Sequence, residues 1–453
     1  MNENLKKEKF VLANREDLKY DQAFETKPIG YYKDAMNRFK KNKASVVAAV
    51  ILLFLILMAI IGPWVRPDSF YEEHPVEAIK LVSEGELPPY VPGLEWLGFN
   101  GVRSISRANL ALDLLPLISD EIVSEYGQIV LTDLDTVEPS AGGVYRVKVN
   151  FYNYVNYELT NTPMNVTTEI LQAIYDYEAE TGNTILLEEV RVWKNPDESL
   201  IEGQSHRIRV AYFDYLKAIY DYEPVYPFGT DLRGRDWFSI LWSGARVSLI
   251  IALAVSAINL AIGVSIGSIS GYFGGATDLI IERISEVIAG LPFLAIITLL
   301  ILRFGSTPGV VIFAFAISGW LGISSLTRTQ FYRYKSREYV LAARTLGAGD
   351  TRIMYRHILP NAVGTLITSF VLYIPSVIFS ESTFSFLGII NYNDTVSIGR
   401  MLSDSQARLK VDASLGFLVL FPAIFVSLLM LSFNLFGNGL RDAFNPSLRG
   451  VEE

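Results

Sequence analysis

The chain has 453 residues, half of them hydrophobic, with a mean hydropathy of +0.29. A soluble domain of that size does not carry several uncharged runs of about 20 apolar residues, so the class is a polytopic membrane protein. There is no cysteine, and the only histidines, His74, His206 and His357, are far apart, which excludes disulfides and thiolate sites and argues against a His-based metal site. The formal charge of −9 hides an asymmetry: residues 66–228 hold 11 Lys/Arg against 27 Asp/Glu, a balance of −16, and the remainder is +7. That is charge sorted by compartment, not a nucleic-acid signature.

Residues 1–43 are charged and read as a cytoplasmic tail. No signal peptide is expected, because the first apolar run begins near Ala44, too late and too long for one. Lys27, Lys33, Arg38, Lys40, Lys41 and Lys43 precede that run, and the positive-inside rule puts them in the cytoplasm. Tyr32, Met36 and Phe39 at helical spacing predict an interfacial helix on the inner leaflet. Residues 44–65 are the first spanning helix, closed by Pro63 and Trp64.

Residues 66–228 contain no spanning run and are too long for a loop, so they read as an acidic extracellular insertion of small α+β type. Val144–Tyr154 alternates and predicts a half-buried strand. Asn165–Glu180 reads as a helix stopped by Gly182, and Thr184–Trp193 and Arg207–Tyr215 read as strands. Ala-Ile-Tyr-Asp-Tyr-Glu occurs at 173–178 and again at 218–223, a weak trace of a duplication. The acids lack the Asp-x-Asp-x-Asp-Gly spacing of a calcium loop and read as a solvated surface.

Residues 229–437 carry five further apolar runs and form the membrane core. Their first stretch is a Gly-rich turn with paired charges. Gly229, Thr230, Asp231, Gly234, Arg235, Asp236 and Arg246 read as a charge-locked corner beside a pore rather than a substrate site, with the two aspartates bonding backbone donors or nearby arginines. Ala245–Tyr272 is the second span, with Gly263, Gly267 and Gly271 as a small-residue face. Ile284–Leu302, kinked at Pro292, is the third and Gly309–Leu326 the fourth. Asn361–Gly388 is the fifth and Ala413–Phe436 the sixth, and residues 438–453 form a cytoplasmic tail. Glu381 is a lone acid in a span, a functional candidate by default, weighed evenly against a pin on a helix bend.

Between the fourth and fifth spans lies a basic loop, residues 328–360, expected inside the cell. Val340, Ala343 and Leu346 at helical spacing predict a helix. Gly347 and Gly349 then break it, and Asp350 reads as the cap of a second short helix that runs to Pro360. Such a lever suits a groove on a soluble partner.

Ala342, Ala343, Gly347, Ile358, Leu359 and Pro360 are similar to the cytoplasmic EAA loop of ABC-importer permeases, with Leu341 where that family has Glu and Glu338 one turn earlier. Gly229–Asp236, with Ser239, Gly244, Arg246 and Ser248, resembles the Gly-Thr-Asp-x-x-Gly-Arg-Asp segment of C-type subunits of oligopeptide and dipeptide importers. The tail from Gly439 to Arg449 resembles theirs too. The resemblance covers roughly residues 31–66 and 228–450.

It implies an all-α polytopic membrane protein with six transmembrane helices of the type I ABC importer kind and the α+β insertion between helices 1 and 2. It implies half of a peptide uptake pathway in the cell membrane, with both termini cytoplasmic. Glu338, Ala342, Ala343, Gly347, Gly349, Asp350 and Pro360 would form the ATPase-coupling element. The implied partners are a paralogous second permease, two ATP-binding subunits, an extracellular peptide-binding protein and the lipid bilayer, with no nucleic acid. The chain is expected not to be an enzyme and to bind no cofactor. It has no Gly-x-x-x-x-Gly-Lys-Ser/Thr loop, so ATP and Mg would sit on the partners. The alternatives are a same-family importer of a nickel chelate, heme or sugar, a receptor with a sensing ectodomain, and a secondary transporter. The last is opposed by the lack of an inverted repeat of broken helices.

Overall fold

The computed structural model describes residues 31–65, 69–83, 85–107, 114–134, 137–139, 144–392 and 395–444. Lys27, the side chain of Tyr32 and the tail after Phe444 lie outside the described residues.

Helices α1 (Tyr31–Lys41) and α2 (Lys43–Val65) are separated only by Asn42, whose side chain accepts the Ser45 N–H at 3.2 Å and so caps α2. The sequence expectation placed α1 on the leaflet. Its apolar side in fact splits: Ala35 and Phe39 are buried against the C-terminal helix, with Phe39 edge-on to Phe436, while Met36 stays exposed. Along α2, Ala48, Leu52, Leu55, Ala59 and Gly62 form a buried stripe, and Val50, Leu53, Phe54 and Leu57 are exposed apolar residues. A helix that exposes only apolar side chains on its free face suits a hydrocarbon solvent.

In the insertion, α3 (Pro75–Leu81) leads into β1 (Val102–Arg107), which pairs antiparallel with β2 (Tyr145–Asn150). A second sheet has the order β3 (Met164–Thr167), β5 (Ser205–Val210), β4 (Leu186–Arg191), antiparallel throughout. The predicted strand over Val144–Tyr154 stops at Asn150. That residue's side chain accepts the Asn153 N–H and starts α4 (Phe151–Asn161). Likewise Thr167 ends β3 and caps α5 (Thr168–Thr181), which Gly182 closes in the left-handed region. The predicted strand Arg207–Tyr215 is β5 followed by α6 (Tyr212–Tyr220). Capping side chains decided the first two switches, not hydrophobic period; at the third Ala211 gives no cap, and Thr160 and Asn156 of α4 accept the N–H groups of Tyr212 and Phe213. The hexapeptide copies fall on α5 and on the end of α6, where Asp221 turns left-handed, so their backbones differ. One hydrophobic core joins the two sheets and their helices to Ala78 and Leu81 of α3. His206 is buried in this part, with Nδ1 accepting the Trp193 N–H and Nε2 3.0 Å from the Thr168 hydroxyl.

The membrane part begins with α7 (Trp237–Phe273), longer than predicted because Asp236 caps it nine residues before Ala245. The third and fourth predicted spans are each two helices. α8 (Gly275–Ala289) and α9 (Phe293–Phe304) meet at 71°, and α10 (Pro308–Ser318) and α11 (Trp320–Tyr334) at 40°. At the first break Pro292 has no N–H to give and biases Leu291 away from helix. At the second, Asn259 lies 3.5 Å from the Phe315 carbonyl and 3.2 Å from the Tyr373 hydroxyl and crowds Gly319.

The remaining elements are α12 (Glu338–Thr345), α13 (Asp350–Phe386), α14 (Ile398–Val411) and α15 (Gly416–Phe444). Among the described residues four helices are long and apolar enough to cross a membrane, and up to six spans result if each bent pair counts as one. Gly263, Gly267 and Gly271 face α11: a Cβ on Gly263 would lie 2.8 Å from Ile323, and one on Gly271 2.6 Å from Phe331. The glycines let the two backbones touch, which is how helices gain contact without a hydrophobic drive between them.

Candidate functional site

The lever between α11 and α13 is built on a small core of its own. Tyr272, Phe331, Val340, Ile353, Met354 and Ile358 are buried together, so the ends of α7 and α11 hold α12 and the start of α13. Helix α12 ends in a Schellman motif: Gly347 N–H donates to Arg344 O and Ala348 N–H to Ala343 O, both at 3.0 Å, with Gly347 at φ 81°. Gly349 differs from the expectation. Its φ is −70°, ordinary for any residue.

Asp350 is not a cap either. It is the first residue of α13, and its carboxylate accepts the Tyr272 hydroxyl at 2.5 Å, while Arg344 donates to the same hydroxyl at 3.1 Å. Nor does a helix end at Pro360. A π turn over Ile353–Ile358, in which Leu359 N–H reaches Met354 O, precedes the proline, and α13 runs unbroken from Asp350 to Phe386. The wider turn makes room for a ring that an α-helix would not accept in its interior.

Glu338 and Ala342 are exposed and Ala343 half-buried. The most exposed apolar side chain of the lever is one that helical spacing had paired with buried Val340: Leu346, 88% exposed at the end of α12, with Leu341 and Tyr339 of the same helix also exposed. Behind the lever, Asp278 accepts two bonds from Arg328 at 2.6 Å and one from Tyr332 at 2.8 Å, and also bonds Ser270, so that α7, α8 and α11 are tied at one end. Tyr272, Asp278, Arg328 and Arg344 escaped the sequence reading because their partners lie on other helices. Tyr272→Phe keeps the ring and deletes both hydroxyl bonds. Losing such bonds costs about 1–2 kcal/mol. Amide protection at Asp350–Ile353 is expected to fall roughly tenfold in hydrogen exchange, with the rest of α13 unchanged.

In the Gly-rich corner the charges pair within the turn, and its main contact is the root of the insertion. Asp231 accepts the N–H of Arg233 and Arg235, both at 2.9 Å, and pairs with the Arg235 guanidinium at 2.6 Å. Thr230 is fully buried: its N–H donates to Leu87 O at 3.0 Å and its hydroxyl accepts Leu87 N–H at 2.9 Å. Gly229 and Gly234 have φ 79° and 78°, and a Cβ on either would strike the carbonyl of Leu87 or Ala78. Arg246 ties α7 to α2. Pro63 cannot donate to the Ala59 carbonyl, and Arg246 Nε donates there instead at 3.1 Å, with a second bond to Ile60 O.

Two ion pairs extend this docking. Glu86, 1% exposed, pairs with Arg408, and Arg103 pairs with Asp412 at 2.6 Å while donating to Glu86 O and the Ser414 hydroxyl. Glu86, Asp231, Arg233, Arg400, Asp404 and Arg408 contribute to the lining of a cavity of about 460 Å³ between the corner and α14.

Glu381 is fully buried on α13. It accepts from Ser248 of α7 at 3.1 Å and from Ser385 at 3.2 Å, and Ser248 in turn receives the Ile398 N–H of α14 at 3.4 Å. Geometrically it joins three helices at one end of the bundle.

Such a bundle, with a lever at one end and a docked insertion at the other, is a multi-pass membrane protein of the permease class. Residues 263–450 match the family described as binding-protein-dependent transport system inner membrane component, and residues 30–89 match the N-terminal transmembrane domain of oligopeptide transport permease C. The chain belongs to this family of ABC-transporter permeases, in its C-type branch. It is 41% identical over 222 residues to the dipeptide transport system permease protein DppC of Bacillus subtilis, covering 49% of this chain and 69% of that one. It is 40% identical to the oligopeptide permease protein OppC of the same organism (49% and 72% covered), and 35% to OppC of Escherichia coli K12 (51% and 75%). Most of the insertion falls between the two family matches.

Proposed function

We propose that this chain forms one half of the transmembrane pathway of an ATP-driven importer of oligopeptides or dipeptides, and that α12 and the start of α13 couple it to cytoplasmic ATPases. The observation that carries this reading is the lever: exposed Leu346 and Leu341 stand on a Schellman-closed helix fixed against α13, one continuous helix from Asp350 to Phe386. A push at the lever is thus a push on a spanning helix whose far end holds Glu381, Ser248 and the start of α14. The relatives' peptide specificity supports the substrate class. The partners are a paralogous permease, two ATP-binding subunits carrying ATP and Mg, and an extracellular peptide-binding protein. Both termini are cytoplasmic and residues 66–244 lie outside.

The test has two arms. Mild-detergent extraction is expected to bring down two ATP-binding proteins and a second permease, and the reconstituted complex to accumulate labelled peptides with ATP. A complex without ATPases, or one that accumulates a metal chelate or sugar and no peptide, overturns the reading. Since the chain has no cysteine, an Asp176→Cys variant is expected to react with an impermeant thiol reagent on intact cells. Protection there reverses the orientation.

A further inference from the structure

We infer that the hairpin 91–99 of the insertion is a membrane anchor whose tip, Leu94, Trp96 and Leu97, inserts in the interfacial layer of the leaflet on the insertion side. The hairpin is closed by the Tyr90–Asn100 bridge and by Val91 N–H donating to Phe99 O at 3.1 Å. Gly93 and Gly98 at φ 84° and 95° turn the chain at either end of the tip. Every residue from Pro92 to Gly98 is exposed, and Trp96 is 79%, Leu97 53% and Leu94 40% exposed. A surface in water does not gather its most exposed tryptophan with two leucines on seven residues without something to cover them.

Depth identifies the cover. Phe99 lies 6.4 Å from Phe421, centroid to centroid. Phe421 is five residues into α15, about 7–8 Å along the axis, and the flanking Leu420 and Ile424 are exposed apolar residues of that span. The base of the hairpin therefore sits at the depth of the first turns of a spanning helix. Trp96 is three residues from Phe99, within about 11 Å along the chain. Amphipathic Trp side chains partition to this layer. Trp64, 72% exposed at the end of α2, is a second example on the same molecule. The tip carries one charge, Glu95, which accepts the Gly93 N–H at 3.0 Å, and no cation, so burial of apolar area and not attraction to anionic lipid would hold it.

The test is a spin label at Leu97→Cys, an exposed position whose change leaves the core alone, with Asp176→Cys on the exposed face of α5 as reference. The complex is taken from its membrane directly into lipid nanodiscs. Collisions with oxygen, which concentrates in lipid, are compared with those of a water-soluble nickel chelate. At 97 oxygen is expected to dominate, at 176 the chelate, and replacing anionic by zwitterionic lipid should leave both unchanged. Chelate-dominated collision at 97 means a tip in water, and shielding from both reagents means a protein partner covers it. Either overturns the anchor.

Discussion

Gly347→Val is expected to leave the chain inserted in the membrane and to cut peptide uptake by at least about tenfold. The cause is backbone conformation alone. A Cβ at 347 would meet nothing within 4 Å, yet the residue sits at φ 81°, where a β-branched side chain costs on the order of 1–3 kcal/mol. The cheapest relief is to abandon the left-handed turn. The bonds from Gly347 and Ala348 back to Arg344 and Ala343 then break, and α12 swings relative to α13. Leu346 would no longer face whatever receives it, and each 1.4 kcal/mol lost at such a contact is a factor of ten. Gly349→Ala is the control: equally open, with φ −70°, it should behave as wild type. The measurement is paired: uptake, and ATP hydrolysis stimulated by loaded binding protein, in reconstituted membranes. Wild-type values of both in Gly347→Val would make the lever a passive linker.

What could be read in the sequence was what depends on near neighbours. The apolar runs, the glycine face of α7 and the turn at Gly347 are set within a few residues. What could not be read depends on distant partners. Pro360 signals an end to any local reading, yet α13 passes it because a π turn loosens the helix beforehand and a buried cluster holds that turn. Asp350 has the composition of a cap but is claimed by Tyr272, 78 positions earlier. Leu346 shares helical spacing with Val340 and is exposed nonetheless, since the helix ends under it. The docking of the insertion was least visible: Glu86 and Arg408 are 322 positions apart, and neither belongs to a motif. A further consequence is that the insertion is no detachable module. Excising residues 75–220 would remove Ala78, Leu87 and Arg103 from the corner and α14, and would test damage rather than docking.

Arg103→Ala asks the same question cleanly, and is expected to release the root of the insertion while the membrane bundle stays folded. Arg103 is 8% exposed and bonds Asp412, Glu86 O and Ser414, with its guanidinium 4.8 Å from the Phe151 ring centre. Removing one partner of a buried ion pair costs roughly 3–5 kcal/mol. The Asp412 side chain is 36% exposed and partly screened, which places this loss at the lower end. Hydrogen exchange should rise at 86–90 and at 408–414 and not in α7 or α13, and Arg103→Lys should recover part of the protection.

Acid offers an independent check. Burial pushes the Asp412 carboxyl up, but the Arg103 guanidinium and the Ser414 N–H and hydroxyl outweigh it and hold it below the usual 3.8. A group depressed in the folded state contributes fully above its unfolded value and loses that contribution as pH falls through the folded one. The wild-type brace should therefore be flat from pH 8 to about pH 5 and loosen only below 3.8. Arg103→Ala should be loose already at neutral pH and lose most of that acid response. If the variant is instead as well protected as wild type at pH 7, the insertion is held by Leu87, Thr230 and Glu86–Arg408 alone. If its root loosens while peptide uptake and binding-protein affinity stay unchanged, the brace serves stability and not delivery of substrate.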